Sequence, residues 1–143
     1  MKNSKGFSLL ELLIVVAIIL IIATIAIPSL LRSRQAANES AAVANLRTVN
    51  TAEVTYLSSS GGRYGTIEDL IAAKLLDDTF TGTKAAYNYT VTLDATSSGY
   101  TAEAVPASTE AGRYGYYSAP DAIVRYSTNT SLAPPTQAGK SVQ

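Results

Sequence analysis

From Leu12 to Leu31 the chain reads LLIVVAIILIIATIAIPSLL, twenty residues without a charge. At ~1.5 Å per residue, a helix of that length crosses the ~30 Å hydrocarbon core of a bilayer. Downstream the apolar spacing changes. From Ala36 to Tyr56 there is neither glycine nor proline and alanine recurs, which favours continued helix. At 100° per residue, Val43, Leu46, Val49, Val54 and Leu57 fall within an arc of about 140°, a stripe predicted to face a small core. Asn50 and Glu53 share that arc and make the stripe imperfect. One long helix is therefore predicted over Leu9–Leu57. Continuous from Phe7, it spans about 75 Å, more than a small domain covers, so part of it is expected to protrude. Pro28 lies inside and removes a backbone donor, so a kink or an opened turn is expected there.

Ser58-Ser59-Ser60-Gly61-Gly62 ends that helix with weak helix formers and a glycine pair. In TIEDLIAAKLL, Thr66 and Asp69 have capping-box spacing, and Ile67, Leu70, Ile71, Lys74 and Leu75 keep helical spacing with one polar member. A short second helix follows, closed by Asp77-Asp78. Tyr87, Tyr89, Val91 and Leu93 then alternate with Asn88, Thr90 and Thr92, the pattern of a half-buried strand. Asp94–Gly99 reads as a turn. Tyr100, Ala102 and Ala104 alternate again until Pro106 stops the strand. A second pair is predicted at Arg113–Tyr117 and Ala122–Tyr126, joined through Ser118–Asp121. An antiparallel sheet of about four strands on the amphipathic half of the long helix gives each apolar face a partner, an α+β architecture. The end, STNTSLAPPTQAGKSVQ, has two prolines and one charge and is expected to be a mobile tail.

Composition narrows the function. The 143 residues leave room for one ordinary domain and an appendage. Eleven basic residues balance eleven acidic ones, so no basic field gathers nucleic acid. There is no cysteine, hence no disulfide framework and no thiolate metal site. There is no histidine, which removes the commonest general base and transition-metal ligand. No paired carboxylates, nucleophile–base set or metal cluster stands out. An enzyme is disfavoured, and no cofactor is expected.

The N-terminus carries the most specific signal. A secretory signal peptide has a shorter apolar stretch and a small-x-small cleavage site; here Thr24-Ile25-Ala26 is followed at once by Ile27 and Pro28. A plain membrane anchor fits the length but has no use for Glu11, which sits inside the apolar segment behind Phe7, Leu9 and Leu10. Lys2 and Lys5 before the run and Arg32, Arg34 and Arg47 after it leave the positive-inside rule nearly silent. The segment KGFSLLELLIVVAIILIIATIAIPSLL resembles the N-terminus of type IV pilins and of the related pseudopilins of type II secretion. The resemblance rests on Gly6, Phe7, Glu11 and Pro28 at fixed spacing. It is clear from Phe7 to about Arg34 and looser to about Tyr56.

That resemblance implies a leader, residues 1–6, removed after Gly6 by a prepilin peptidase that also methylates the new amine of Phe7. It implies a precursor held in the inner membrane, and a surface filament built from copies of the chain by packing of residues 7–33. The head is expected over 34–130 and the flexible tail over 131–143. An ionised carboxylate in hydrocarbon must neutralise, snorkel or find a cation. In pilins the proposed cation is the N-terminal amine, so Glu11 is expected to set assembly register by meeting the amine of Phe7, its own or a neighbour's. Headgroup snorkelling is the alternative for Glu11, and a secretion pseudopilin is the alternative for the chain. The chain lacks tryptophan and any likeness to a calcium site, which favours the pilin.

Other motifs read blandly. Asp77-Asp78 lacks the D-x-D-x-D-G spacing of a calcium loop and reads as a solvated helix end. Nine tyrosines, with Tyr114, Tyr116 and Tyr117 bunched, suit sheet packing. Gly62-Arg63-Tyr64-Gly65 and Gly112-Arg113-Tyr114-Gly115 repeat one tetrapeptide but lack a P-loop lysine, so they read as loops.

Overall fold

The computed structural model describes residues 6–127 and 139–142. They form helix α1 (Leu9–Ser59), helix α2 (Ile67–Ala72) and a 3-10 turn (Asp78–Thr81). Six strands follow: β1 (Thr83–Lys84), β2 (Tyr87–Leu93), β3 (Tyr100–Pro106), β4 (Gly115–Ser118), β5 (Arg125–Ser127) and β6 (Lys140–Ser141). The chain separates into two compact units, residues 1–33 and 34–143.

The first unit is the N-terminal part of α1, and it has no core. Every described side chain from Gly6 to Ser33 is exposed except Ala23, which is half-buried. Leu9 is 81% exposed and Ile25 73%, although the most apolar window of α1 has a mean hydropathy of 3.1. The hydrophobic effect therefore leaves this surface to be covered by lipid or by protein. Pro28 lies within α1. Lacking an N–H, it leaves the carbonyl of Thr24 without its helical donor.

In the second unit α1 lays one stripe on the sheet. Ala42, Val43, Leu46, Val49 and Ala52 are buried, together with Glu39, Asn50 and Glu53. The polar members thus belong to the buried face, and its sequence numbers keep the 3-and-4 spacing of a helical ridge. Val54, expected on the stripe, is 56% exposed. It sits one position past Glu53, which occupies the middle of the arc. Leu57 is half-buried. The helix ends at glycine, as its sequence indicates. Gly62 donates to the Leu57 carbonyl at 3.1 Å, while Gly61 has φ +73°, the left-handed C′ residue of a Schellman motif.

The capping box predicted for α2 is present. Thr66 Oγ1 accepts from Asp69 N at 3.3 Å and Asp69 Oδ2 accepts from Thr66 N at 2.9 Å. The helix is shorter than TIEDLIAAKLL suggests, because Lys74 takes φ +59° and turns the chain.

The sheet is an antiparallel meander in the order β1-β2-β3-β4-β5-β6. Seven residue pairs join β2 to β3, from Tyr87↔Pro106 to Leu93↔Tyr100. The sheet has two more strands than expected, the two-residue edges β1 and β6. The later pair is also shifted, to Gly115–Ser118 and Arg125–Ser127. Strands of two residues carry no readable alternation. Of the expected mobile tail, residues 131–138 and 143 lie outside the described residues, whereas Lys140 pairs with Tyr126 and Ser141 with Arg125. The core forms where Tyr87, Tyr89, Tyr100, Ala102, Ala104 and Tyr116 meet α1, with Leu70 and Phe80 beside them.

Candidate functional site

Two sets of polar residues break an otherwise apolar pattern, one in each unit. At the start of α1, Ser8 is the N-cap. Its Oγ accepts from Leu10 N at 3.3 Å, and its own N donates to Glu11 Oε2 at 3.0 Å. Leu12 N reaches the Ser8 carbonyl at 3.2 Å. Ser8-Leu9-Leu10-Glu11 is thus a capping pair with the carboxylate at N3. Its signature, S-x-x-E before an apolar run, stands in the sequence as a cap that the apolar pattern alone does not mark. The carboxylate also faces the positive end of the helix dipole, which lowers the cost of a charge there. Phe7 precedes the helix and is 78% exposed; a side chain at Gly6 would meet nothing within 4 Å.

In the second unit, α1 meets the sheet and loops through its own polar side chains. Glu39, 6% exposed, accepts from Arg113 three times: from its N at 2.7 Å, Nε at 3.1 Å and an Nη at 2.9 Å. Burial works to raise this carboxyl, but the hydrogen bonds and charge of Arg113 outweigh it and hold it below the ordinary range. Asn38 donates to the Ala111 carbonyl at 2.9 Å and Asn45 to the Tyr89 hydroxyl at 2.9 Å. Asn50 Oδ1 accepts from the hydroxyls of Tyr100 and Ser118, each at 2.9 Å.

Glu53 is fully buried, and its Oε2 accepts from Gly65 N at 3.1 Å. Its Oε1 has no partner among the described residues. Burial pushes this carboxyl up to about 7; the Gly65 hydrogen bond opposes the shift and the charge of Asp69 adds to it. Tyr87, Tyr100 and Tyr116 are likewise pushed up by burial, so their hydroxyls stay protonated donors.

The two Gly-Arg-Tyr-Gly stretches now differ from ordinary loops in one respect. Each brings a backbone N–H, of Gly65 or of Arg113, to a buried glutamate of α1. Both need glycine for close approach. A Cβ at Gly65 would stand 2.9 Å from a Tyr56 ring carbon, and one at Gly112 would collide with the Tyr87 hydroxyl. These residues clip the helix to the head. They do not form a catalytic set, and no group of three metal-ligating side chains gathers among the described residues.

Residues 1–27 match the family model for the prokaryotic N-terminal methylation motif. The chain is 54% identical over 46 residues to the type IV wide pilus major component PilA4 of Thermus thermophilus, covering 32% of this chain and 35% of that one. It is 44% identical over 56 residues to the type IV major pilin protein PilA of Myxococcus xanthus, covering 39% of this chain and 26% of that one. The likeness spans about a third and a quarter of those relatives' lengths. No solved structure matches the chain.

Proposed function

We propose that this chain, whose N-terminal segment resembles that of type IV pilins, is a member of that family and a structural subunit of a pilus-like surface filament. The observation that carries the reading is the first unit of α1: an uncharged run of twenty residues, exposed almost throughout, with one carboxylate in its first turn. As a precursor it sits in the inner membrane, where lipid covers that surface. Prepilin peptidase cuts between Gly6 and Phe7 and methylates the Phe7 amine. In the filament, neighbouring helices take the place of lipid, burying apolar area worth roughly 25 cal/mol per Å².

That force is non-directional and sets no register. Glu11 supplies it, because cleavage creates a cation one helical turn away at Phe7, and a carboxylate already aimed at the Ser8 N–H needs little rearrangement to accept from that amine. Pro28 provides a point where stems curve or open as they pack. The role is structural, and the partners are further copies of the chain. That one relative is named a major component of a type IV pilus and the other a type IV major pilin supports this reading over a secretion pseudopilin.

The test is the intact mass of the protein from sheared surface filaments. A mature chain beginning at N-methylated Phe7 is expected. A product that keeps residues 1–6, or that starts beyond Ala26, overturns the processing scheme, and sheared filaments built of another protein overturn the function.

A further inference from the structure

Within the second unit, the face of α1 turned away from the sheet is short of charge. Arg47, Thr48, Thr51, Val54 and Thr55 are all exposed, and only the first is ionic. A face that meets only water ordinarily carries charged side chains along its length. The hydroxyls of Thr48, Thr51 and Thr55 donate to the carbonyls of Ala44, Arg47 and Thr51 at 3.1, 3.0 and 2.9 Å. Their donors are used inside the helix.

A groove of about 400 Å³ lies on this face, lined by Arg47, Asn50, Thr51, Val54, Thr55 and Ala122. Two of the residues lining it carry nitrogen donors. Asn50 is only 4% exposed, and its Nδ2 has no partner among the described residues. The Arg47 guanidinium likewise makes no ion pair with a described residue. A buried amide donor left unmade costs stability until an acceptor meets it, and a cation beside it selects an anionic acceptor. The chemistry is that of a carboxylate.

The same unit carries the complement. Between Ile67 and Thr81 the chain has Glu68, Asp69, Asp77 and Asp78 against Lys74 alone. Asp69 is occupied in the α2 cap and Asp77 holds Lys84 at 2.7 Å. Glu68 and Asp78 are exposed, and their carboxylates have no partner among the described residues.

We infer that the Arg47–Asn50 groove is a docking site for the acidic α2 to 3-10 segment of a second copy, with Glu68 or Asp78 as the incoming group. The inference rests on the filament reading and specifies which surfaces of the heads meet. Groove and acidic segment are different patches of one unit, so each copy can offer its groove to one neighbour and its acidic segment to another, which makes the contact heterologous. Such a contact repeats along an open filament instead of closing a dimer.

The test uses the full-length chain in cells that assemble it. Arg47→Glu opposes like charges at the groove and is expected to cut sheared filament about tenfold at equal membrane pools, since Arg47 is exposed and the fold does not depend on it. Glu68→Arg or Asp78→Arg in the same chain is expected to bring the yield back to within about twofold of the parent. The chain has no cysteine, so Val54→Cys paired with Glu68→Cys or Asp78→Cys reports contact directly, as a disulfide-linked ladder of subunits after mild oxidation. Parental yield from Arg47→Glu without any ladder overturns the docking site and leaves the filament reading standing. A loss that neither reversal restores, again without a ladder, overturns it too. A parent chain that makes no filament overturns the filament reading instead. The cysteine pairs in the membrane pool then decide the docking alone, supported by cross-linked dimers and overturned by their absence.

Discussion

Glu11 and Glu53 are both carboxylates among apolar neighbours, and their surroundings give them opposite behaviour. Glu11 has the N–H of Ser8 and the helix dipole in front of it, and under the proposed processing the Phe7 amine would join them. Glu11→Val should leave membrane insertion and cleavage intact and reduce sheared filament severely, because an unpaired buried charge costs on the order of 3–5 kcal/mol where a surface pair is worth about 0–1. Glu11→Gln should lie between, since an amide accepts a hydrogen bond without neutralising the amine. Equal filament yield from parent, Gln and Val forms would end the register argument. Among the described residues Glu53 has one N–H, no cation and a second carboxylate nearby. Its folded pKa of about 7 lies above an unfolded value of about 4.3. Its favourable contribution is therefore fully present below about pH 4.3 and is lost as pH rises through about 7, on the order of 3 kcal/mol in all. Glu53→Gln removes that slope. Denaturant midpoints of both forms from pH 4.5 to 8 should show the parent falling relative to the variant, and parallel curves would contradict a buried neutral acid.

At the scale of elements, the β1–β2 hairpin is the place where local sequence and structure disagree. Lys84 pairs with Tyr87 across a two-residue turn whose residues, Ala85 and Ala86, take φ +51° and +63°. This is a type I′ turn, which ordinarily holds Asn-Gly, and each alanine is strained in the left-handed region. Tertiary contacts hold it there. Phe80 packs edge-on against Tyr89 at 5.3 Å between ring centroids, and Lys84 bridges Asp77 and the Phe80 ring. Ala85→Asn with Ala86→Gly should relieve the strain and stabilise the head by about 1 kcal/mol. A melting curve then shifts upward by a few degrees, roughly 4–8 °C per kcal/mol for a domain of this size. An unchanged or lowered midpoint would show that the alanine methyls contribute packing worth more than the strain.

For the whole molecule, the two units follow different rules. Residues 34–143 contain the core cluster and the glutamate clips at Gly65 and Arg113, and α1, α2 and strands β2 to β4 bury residues within that unit. A fragment beginning at Arg34 should therefore be soluble and folded, with helix and strand signals in circular dichroism and, at protein concentrations too low for the single groove contact to hold, a monomer boundary in sedimentation. A disordered or aggregating fragment would mean that the head depends on the N-terminal helix. Among the described residues of the first unit, every side chain but that of Ala23 is exposed, so the apolar surface there is left for lipid or protein to cover.

Periodicity and spacing in the sequence were enough to determine the long helix, its stop at Gly61-Gly62, the capping box of α2 and the β2–β3 hairpin. Each depends on residues within a few positions of one another, and local propensity, turn chemistry and alternation are local forces. The segment around Gly6, Phe7 and Glu11 was legible for the same reason, as a motif of fixed short spacing. The tertiary structure decided what depends on distant partners. It placed Asn50 and Glu53 inside, because Tyr100, Ser118 and the Gly65 N–H come from elsewhere to meet them. It turned Val54 outward and paired Glu39 with Arg113, 74 residues away. It also made strands of Thr83–Lys84 and Lys140–Ser141, which have too few residues to show a pattern and become strands only because a neighbouring edge offers its hydrogen bonds.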